Sequence, residues 1–392
     1  MIVGVPKETA ALERRVSVVP ESVTKFGTGV TVAVEKGAGE AAGFPDSQYA
    51  GAGASIANDR QSLYGQADIV LKVAPPSPEE AALVKEGSAI ISVLYPLANL
   101  ETVKKLSARK ATAFAMELMP RISRAQPMDA LSSQANIAGY KAVLLAADTV
   151  PKLFPLMMTA AGTISPAKVF ILGAGVAGLQ AIATARRLGA VVEAYDVRPV
   201  VKEQVMSLGA RFAEMPVEAK DAQDAGGYAK AMGEEFTRKQ QEFLAQRAKP
   251  MDVVITTALI PGARAPILIT EDAVKGMSPG SVIVDLAAEQ KGNCALTEPG
   301  KTVVKYGVTI HGPLNLPSTM APESSRLYSR NVSAFLLTML KGGVLTIDPK
   351  DDLVKGTMVV NAGQVVHGPT LKAIDPAAAA AAAPAAPAGG KP

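Results

Sequence analysis

The stretch Gly173-Ala174-Gly175-Val176-Ala177-Gly178 follows the strand-like run KVFIL and leads into the helix-like run LQAIATARRLGA. A bare GxGxxG pattern is weak evidence. Here a strand precedes it, a helix follows it and a second strand ends at Asp196, which is the context of a dinucleotide fingerprint. In that arrangement Gly173 permits the tight turn, Gly175 lets a pyrophosphate approach the backbone, and Gly178 lets helix and strand pack closely. The phosphates would rest on the positive end of the helix. Asp196 closes the run VVEAY, where a carboxylate accepts hydrogen bonds from the adenosine ribose and repels a 2′-phosphate, so NAD(H) is favoured over NADP(H). Arg198 is the competing signal, because an arginine near this position can hold a 2′-phosphate.

A second polar group, Arg121, Arg124, Gln126, Asp129, Ser132 and Ser133, is crowded into MPRISRAQPMDALSSQANIAGYKAV between two apolar segments. On spacing alone this is an interdomain loop capping a helix. Asp129 can serve as N-cap, Ser132 falls in the first turn, and Arg121 with Asp129 can form a surface ion pair. Most enzymes that oxidise an alcohol or amine move a proton as well as a hydride and need a general acid/base, most often His. Only His311 and His367 are available. His311 follows GVTI and reads as a satisfied strand-end residue; His367 lies near the tail. No HExxH, paired-cysteine or clustered His/carboxylate spacing suggests a metal site, and there is no GxSxG elbow. Hydride exchange directly between two nicotinamides needs no acid/base, because only the C4 hydride moves. An enzyme of that kind can lack a catalytic histidine.

Around these groups short Val/Ile runs alternate with Ala/Leu/Glu-rich segments, the pattern of a parallel α/β sheet. Strands are expected at 2–5, 30–34, 68–73, 89–93 and 112–116. From 131 the period changes, with Leu131, Ala135, Ala138, Ala142 and Leu145 at steps of four and three, giving one long helix that ends near TVP. KVFIL then opens a second α/β domain, with further strands in DVVITTAL, SVIVDLAA and GVTIHG. Residues 214–250 are highly charged, with the helix-like GEEFTRKQQEFLAQRAK read as a solvated surface helix and DAGGYAKAM as a mobile loop. ESSRLYSRNVSAFLLTMLKGG reads as an amphipathic helix, and TMVVNAGQVV as a hairpin about Asn361-Ala362-Gly363. The Ala/Pro-rich end from Asp375 reads as a flexible tail.

With 392 residues, two domains are expected. Apolar residues at 48% and charged ones at 19% support sizeable cores and exclude bulk disorder. Forty basic against 36 acidic residues leave +4 without a basic block, and nine Phe, eight Tyr and no Trp offer few stacking platforms. Nucleic acid is therefore not an expected partner. Cys294 stands alone, so no intramolecular disulfide is possible, and it reads as a small buried hydrophobe. The start MIVGVPKETA lacks the order of a signal peptide, and the longest apolar runs fall far short of the roughly 20 residues that span a bilayer. A soluble chain is expected.

Taken together, MIVGVPKE, RRVSVVP, ADIVLKV, RISRAQPMDALSSQANIAGYKAV, GAGVAGLQAIATARRLGA, YDVRP, GGYAKAMGEEF, TTALIPG and GNCALTEPG resemble the NAD(H)-binding domain I of proton-translocating NAD(P)+ transhydrogenase. The likeness covers about residues 1–370. It implies an α/β fold of two Rossmann-like domains with parallel sheets, joined by long helices with a cleft between them. Residues 1–130 with about 316–370 would form a discontinuous N-terminal domain, 131–315 the NAD(H)-binding domain, and 375–392 the tail. It implies hydride transfer between NADH bound here and NADP(H) on a separate domain III, coupled to proton translocation by separate membrane subunits.

On the matching positions Gln126 would contact the nicotinamide side and face the partner nucleotide. Arg121 and Asp129 would form a polar frame flanked by Ile122 and Ser123, and Ser132 would bond the nicotinamide amide. Val176 would lie in the glycine turn, Asp196, Val197 and Arg198 at the ribose, and Leu259 against the cofactor. Gly227 and Tyr228 would belong to a mobile loop that closes over bound nucleotide. By the same likeness the chain would be a homodimer, peripheral on the cytoplasmic face of the membrane.

Alanine dehydrogenase is the nearest alternative, sharing VGVPKE, an Arg in RRV and a Lys in DIVLKV. Here those are Arg15 and Lys72, which cannot discriminate. Its catalytic His lies in a segment like YLHLA, whereas this chain reads VLYPLAN, with Tyr95-Pro96 and no His. Imine chemistry then loses its acid/base, and Lys72 and Arg15 become structural, in ion pairs or at the interdomain cleft. A nucleotide-binding regulatory module without catalysis is a third class.

Overall fold

Val3, Val5, Val32, Val34, Ile69, Leu71, Ile91 and Phe114 are buried in one apolar cluster, and their neighbours Val70, Ile90, Ala113 and Ala115 in another. Alternate residues of the same strands thus serve opposite faces of one sheet. Covering both faces turns strands into near-continuous apolar runs, which is how this half of the chain reads. The computed structural model describes residues 1–216, 233–259 and 264–377. They form two compact units, one of Met1–Ser133 with the described residues from Met320 onward, the other Gln134–Thr319.

In the first unit, β1 (Ile2–Val5), β2 (Thr31–Glu35), β3 (Ser55–Ala57), β4 (Ile69–Leu71), β5 (Ala89–Ser92) and β6 (Thr112–Ala115) are parallel. Their spatial order is β3-β2-β1-β4-β5-β6, the doubly wound arrangement whose ligand crevice lies where the order reverses, between β1 and β4. The helix α1 (Ala130–Thr149) follows, as the period predicts.

The second unit opens on a small hairpin, β7 (Met157–Thr159) and β8 (Gly162–Ile164). Its main sheet contains β9 (Lys168–Leu172), β10 (Val191–Tyr195), β11 (Arg211–Phe212), β12 (Val253–Thr256), β13 (Val282–Asp285), β14 (Thr302–Lys305) and β15 (Val308–His311). The order is β11-β10-β9-β12-β13-β15-β14, again with a reversal, between β9 and β12. Two helices matter for the site, α2 (Val176–Arg187) and the charged α3 (Glu234–Ala248).

The chain then returns to the first unit. Helix α4 (Ala321–Met339) buries Tyr328, Val332, Phe335, Leu336 and Met339 in the first cluster, with Phe335 edge-on to Phe114 at 5.5 Å between ring centres. After a short ribbon, β16 (Leu340–Lys341) with β17 (Val344–Leu345), comes β18 (Met358–Asn361), which pairs antiparallel with both β6 and β19 (Gln364–Val365).

Both sheets are therefore mixed rather than wholly parallel. In the first sheet β18 runs antiparallel to both β6 and β19, and in the second β14 runs antiparallel to β15. Ala362-Gly363 turn β18 into β19 at φ 43° and 90°, and Tyr306-Gly307 turn β14 into β15 at φ 55° and 79°. Two consecutive left-handed residues match the twist of a two-residue hairpin. Among the described residues no helix is long and apolar enough to cross a membrane. Gly227, Tyr228 and the tail beyond 377 lie outside the described residues.

Candidate nicotinamide nucleotide site

The three motif glycines differ in what surrounds them. Gly173 adopts φ 95°, and a Cβ there would stand 2.6 Å from the Thr257 hydroxyl. At Gly178 a Cβ would stand 1.8 Å from the Gly173 carbonyl oxygen, so turn and helix are in backbone contact. A Cβ on Gly175 would meet nothing within 4 Å. Two of the glycines are thus demanded by the fold and the third leaves open space at the first turn of α2, where the N–H groups of a helix start and the helix dipole attract anions. That cradle fits a pyrophosphate. Gly175 is the N-cap of α2 and Val176 its first residue.

Asp196 is buried at the end of β10, and Val197 beyond it packs on a core cluster. The Asp196 carboxylate accepts the Ala174 N–H at 2.7 Å, so it braces the glycine turn directly. It also accepts the Arg198 backbone N–H at 2.9 Å and is held by the Arg198 guanidinium at 2.8 Å (Nε) and 2.7 Å (Nη2). The two residues that compete in the sequence are thus one bidentate pair. Asp196→Ala should release Arg198 and shift the NADH-to-NADPH affinity ratio toward NADPH about tenfold, or about 1.4 kcal/mol. Titrations of the two reduced nucleotides by their own fluorescence check this, and an unchanged ratio would remove Asp196 from nucleotide selection. Leu259, 42% exposed, follows β12.

In the first unit Pro120, Arg121, Ile122, Ser123, Ala125, Gln126 and Asp129 line a pocket of about 250 Å³. Residues Ser123–Met128 form a 3-10 turn. Asp129 then caps α1: its carboxylate accepts the Ser132 N–H at 2.9 Å and the Ser132 hydroxyl at 2.6 Å. The capping reading of Asp129 therefore describes its bonds as found. With its proton given to Asp129, the Ser132 oxygen can serve a further partner only as an acceptor. Arg124 turns to Asp351, at 2.6 Å. Sequence reasoning misses Asn331 on α4, which donates to the Pro127 carbonyl at 2.8 Å and accepts the Ser133 hydroxyl at 2.6 Å, pinning the chain on both sides of Asp129. It also misses Gly139, where a Cβ would stand 2.1 Å from the Ala177 carbonyl oxygen, so α1 rests on the first turn of α2.

The histidines have other partners. His311 is bonded at Nε2 to Thr149 and at Nδ1 to Thr302, both at 2.9 Å, and burial pushes its pKa below the ordinary value. His367 bonds Thr370 at 2.7 Å, at the start of a short helix. At the order reversal of the first sheet, where an open crevice would hold a ligand, stands Lys72, 1% exposed, with Nζ 3.0 Å from Glu8 and 3.3 Å from Glu80. Burial works against its charge, yet the two carboxylates outweigh this and hold the ammonium above the usual lysine value. At Glu8 burial dominates, and the carboxyl is pushed above its usual range despite Lys72. Arg15 is held by Glu13 at 2.6 Å. Both cations shared with alanine dehydrogenase are thus engaged by carboxylates of the chain.

A doubly wound sheet with a glycine turn, an acidic residue closing the next strand, and open space at the helix start defines a dinucleotide-binding α/β protein. The chain belongs to the alanine dehydrogenase/PNT family, whose N-terminal domain matches residues 4–138 and whose C-terminal domain matches residues 142–368. It is 51% identical over 376 residues to an NAD(P) transhydrogenase alpha-subunit chain of Rhodospirillum rubrum, covering 94% of this chain and 98% of that protein. The crystal structure of transhydrogenase from Sinorhizobium meliloti matches with a TM-score of 0.82 at 44% identity, over 94% of this chain and 99% of that one. An L-alanine dehydrogenase structure matches with a TM-score of 0.77 at 27% identity, over 96% and 99%. The chain is thus a nicotinamide nucleotide-binding member of an oxidoreductase family, more similar to these transhydrogenases than to alanine dehydrogenase.

Proposed function

We propose that the chain is the NAD(H)-binding subunit of a proton-translocating transhydrogenase. NADH supplies the C4 hydride, which passes to C4 of NADP+ on a partner domain III, leaving NAD+ and NADPH with no proton moved at either ring. The observation that carries this reading is the engagement of both His311 ring nitrogens by threonines, and the polar pocket of the first unit is suited to positioning. Gly173, Gly175, Val176 and Gly178 hold the pyrophosphate, and Asp196, Val197 and Arg198 hold the adenosine ribose. Arg121, Ile122, Ser123 and Asp129 frame the nicotinamide, and Ser132 accepts from its amide. Gln126 faces the partner nucleotide, Leu259 packs on the cofactor, and Gly227 and Tyr228 close over it. The domains run 1–130 with about 316–370, and 131–315.

The subunit works as a homodimer, peripheral on the inner face of the membrane, with separate transmembrane subunits coupling hydride transfer to proton movement. The hairpin β7–β8 supports the dimer: every residue of its strands is exposed, and Leu156, Met157, Met158 and Ile164 are apolar. An isolated two-stranded hairpin is marginal in water and needs a surface to pack on.

Titration with NADH and NADPH, followed by hydride transfer to NADP+ analogues with added domain III, tests the assignment; no transfer with a competent domain III refutes it. Gln126→Asn should slow transfer about tenfold with little change in NADH affinity, since mispositioning acts on the rate. Equal loss of both would remove Gln126 from that role. Pyruvate plus ammonia with NADH tests the alanine dehydrogenase alternative.

A further inference from the structure

Asn293 is fully buried in the loop beyond β13. Its side-chain amide supplies a strand-pairing rung where β12 has already ended: Oδ1 accepts the Ala258 N–H at 3.0 Å, and Nδ2 donates to the Ala258 carbonyl at 2.9 Å. Nδ2 also donates to the Pro266 carbonyl at 2.8 Å. One side chain therefore ties together the outgoing and returning limbs of the segment that carries Leu259.

The tie is itself anchored. Asp285, fully buried at the end of β13, accepts the N–H of Cys294 at 3.0 Å and the Thr297 hydroxyl at 2.6 Å. It also accepts the Thr256 hydroxyl at 2.8 Å and the Ala287 N–H at 3.0 Å. A Cβ on Gly292 would stand 2.5 Å from this carboxylate, so the loop reaches it only with glycine there. On the other side of Ala258, Thr257 donates its hydroxyl to the carbonyl of Gly173 at 3.0 Å. A set of hydrogen bonds linked through the backbone, part-buried at the glycine turn and Ala258 and buried around Asp285, thus runs from Gly173 to Asn293 and Asp285.

We propose that Asn293 is a positioning residue for the nicotinamide half of bound NADH. This rests on the NAD(H) site proposed above. In a doubly wound sheet the dinucleotide straddles the point where strand order reverses. Asp196 stands at the end of β10, on one side of β9, which assigns that side to the adenosine. β12 is the neighbour of β9 on the other side, so the backbone leaving it serves the second mononucleotide. Asn293 sets that backbone, and with it the exposed Leu259, without itself needing to touch the nucleotide.

The test compares two ligands on one protein. Asn293→Ala should weaken NADH binding about tenfold, as expected for losing the equivalent of a hydrogen bond or two, while the affinity for 5′-AMP, which lacks the nicotinamide half, stays as in the wild type. Asn293→Asp keeps the volume and the acceptor for the Ala258 N–H but sets a carboxylate oxygen against two carbonyls; it should show the same split, and it answers the question if the alanine variant does not fold. Amide hydrogen exchange at Ala258, slow in the wild type without nucleotide, should become fast in both variants. Equal weakening of NADH and 5′-AMP would mark Asn293 as a general support of the fold and overturn the proposal, as would unchanged NADH binding. A wild-type chain that binds no NADH would instead overturn the site reading.

Discussion

Gly175→Val should leave the second unit folded and weaken NADH binding about hundredfold, or about 2.8 kcal/mol. Gly175 has φ −76° and ψ −168°, extended backbone open to any residue, and nothing within 4 Å of a Cβ, so the folded chain has room for valine. The lost N-cap preference costs about 1 kcal/mol at most. The space the valine fills is that needed by a pyrophosphate on the first turn of α2. Gly178→Ala is the contrasting control. Its Cβ would stand 1.8 Å from the Gly173 carbonyl, a clash no rotamer relieves, so this variant should lose the fold of the unit together with binding. Thermal melting with and without NADH separates the two. An unfolded Gly175→Val, or one that binds NADH normally, would sink the assignment of the phosphate cradle.

Lys72→Met should destabilise the first unit by about 3–5 kcal/mol at neutral pH, because removing Lys72 leaves Glu8 buried without its counter-charge, while Glu80 keeps Arg60 at 3.6 Å. Lys72 is 1% exposed and both Glu8 and Glu80 are buried around it. The loss should shrink in acid. A carboxyl whose folded pKa lies above its unfolded value binds protons more readily in the native state, so stability rises as pH falls through the folded pKa. Glu8 is already raised with Lys72 present, and without the ammonium its pKa moves further up. Denaturant melts at pH 7 and near pH 5 would show it. A penalty independent of pH would mean that packing, not charge, makes Lys72 necessary.

Much of the second unit's site is legible in sequence because its physics is local. A tight turn, a close helix and a strand-end carboxylate fall within one βαβ unit, so spacing alone carries them. The alternatives for Asp129, helix cap or nicotinamide frame, share one local pattern, and the bonds to Ser132 are those of the cap. What stays hidden depends on partners distant in the chain. Nothing near Lys72 in sequence announces Glu8, and nothing near Pro127 announces Asn331. Asp196 and Arg198 are close enough in sequence to pair, but their competing charges give no sign that they neutralise each other. The β14–β15 hairpin is hard to read because Tyr306-Gly307 is not an Asn-Gly or Asp-Gly turn, although its backbone is the same.

The return of the chain to its first unit also sets an order of events during synthesis. The Val19 N–H donates to the Ser329 hydroxyl across 310 residues of sequence, and the Tyr328 hydroxyl reaches the Lys72 carbonyl across 256. Until α4 and β18 leave the ribosome, the face of the first sheet that they cover is exposed and β6 remains an open edge. The inserted second unit has its partners close at hand and can fold first, whereas closing so long a loop is entropically slow. The nascent first half is thus the aggregation-prone intermediate of this chain, and the stretch from α4 through β18 is what ends its exposure.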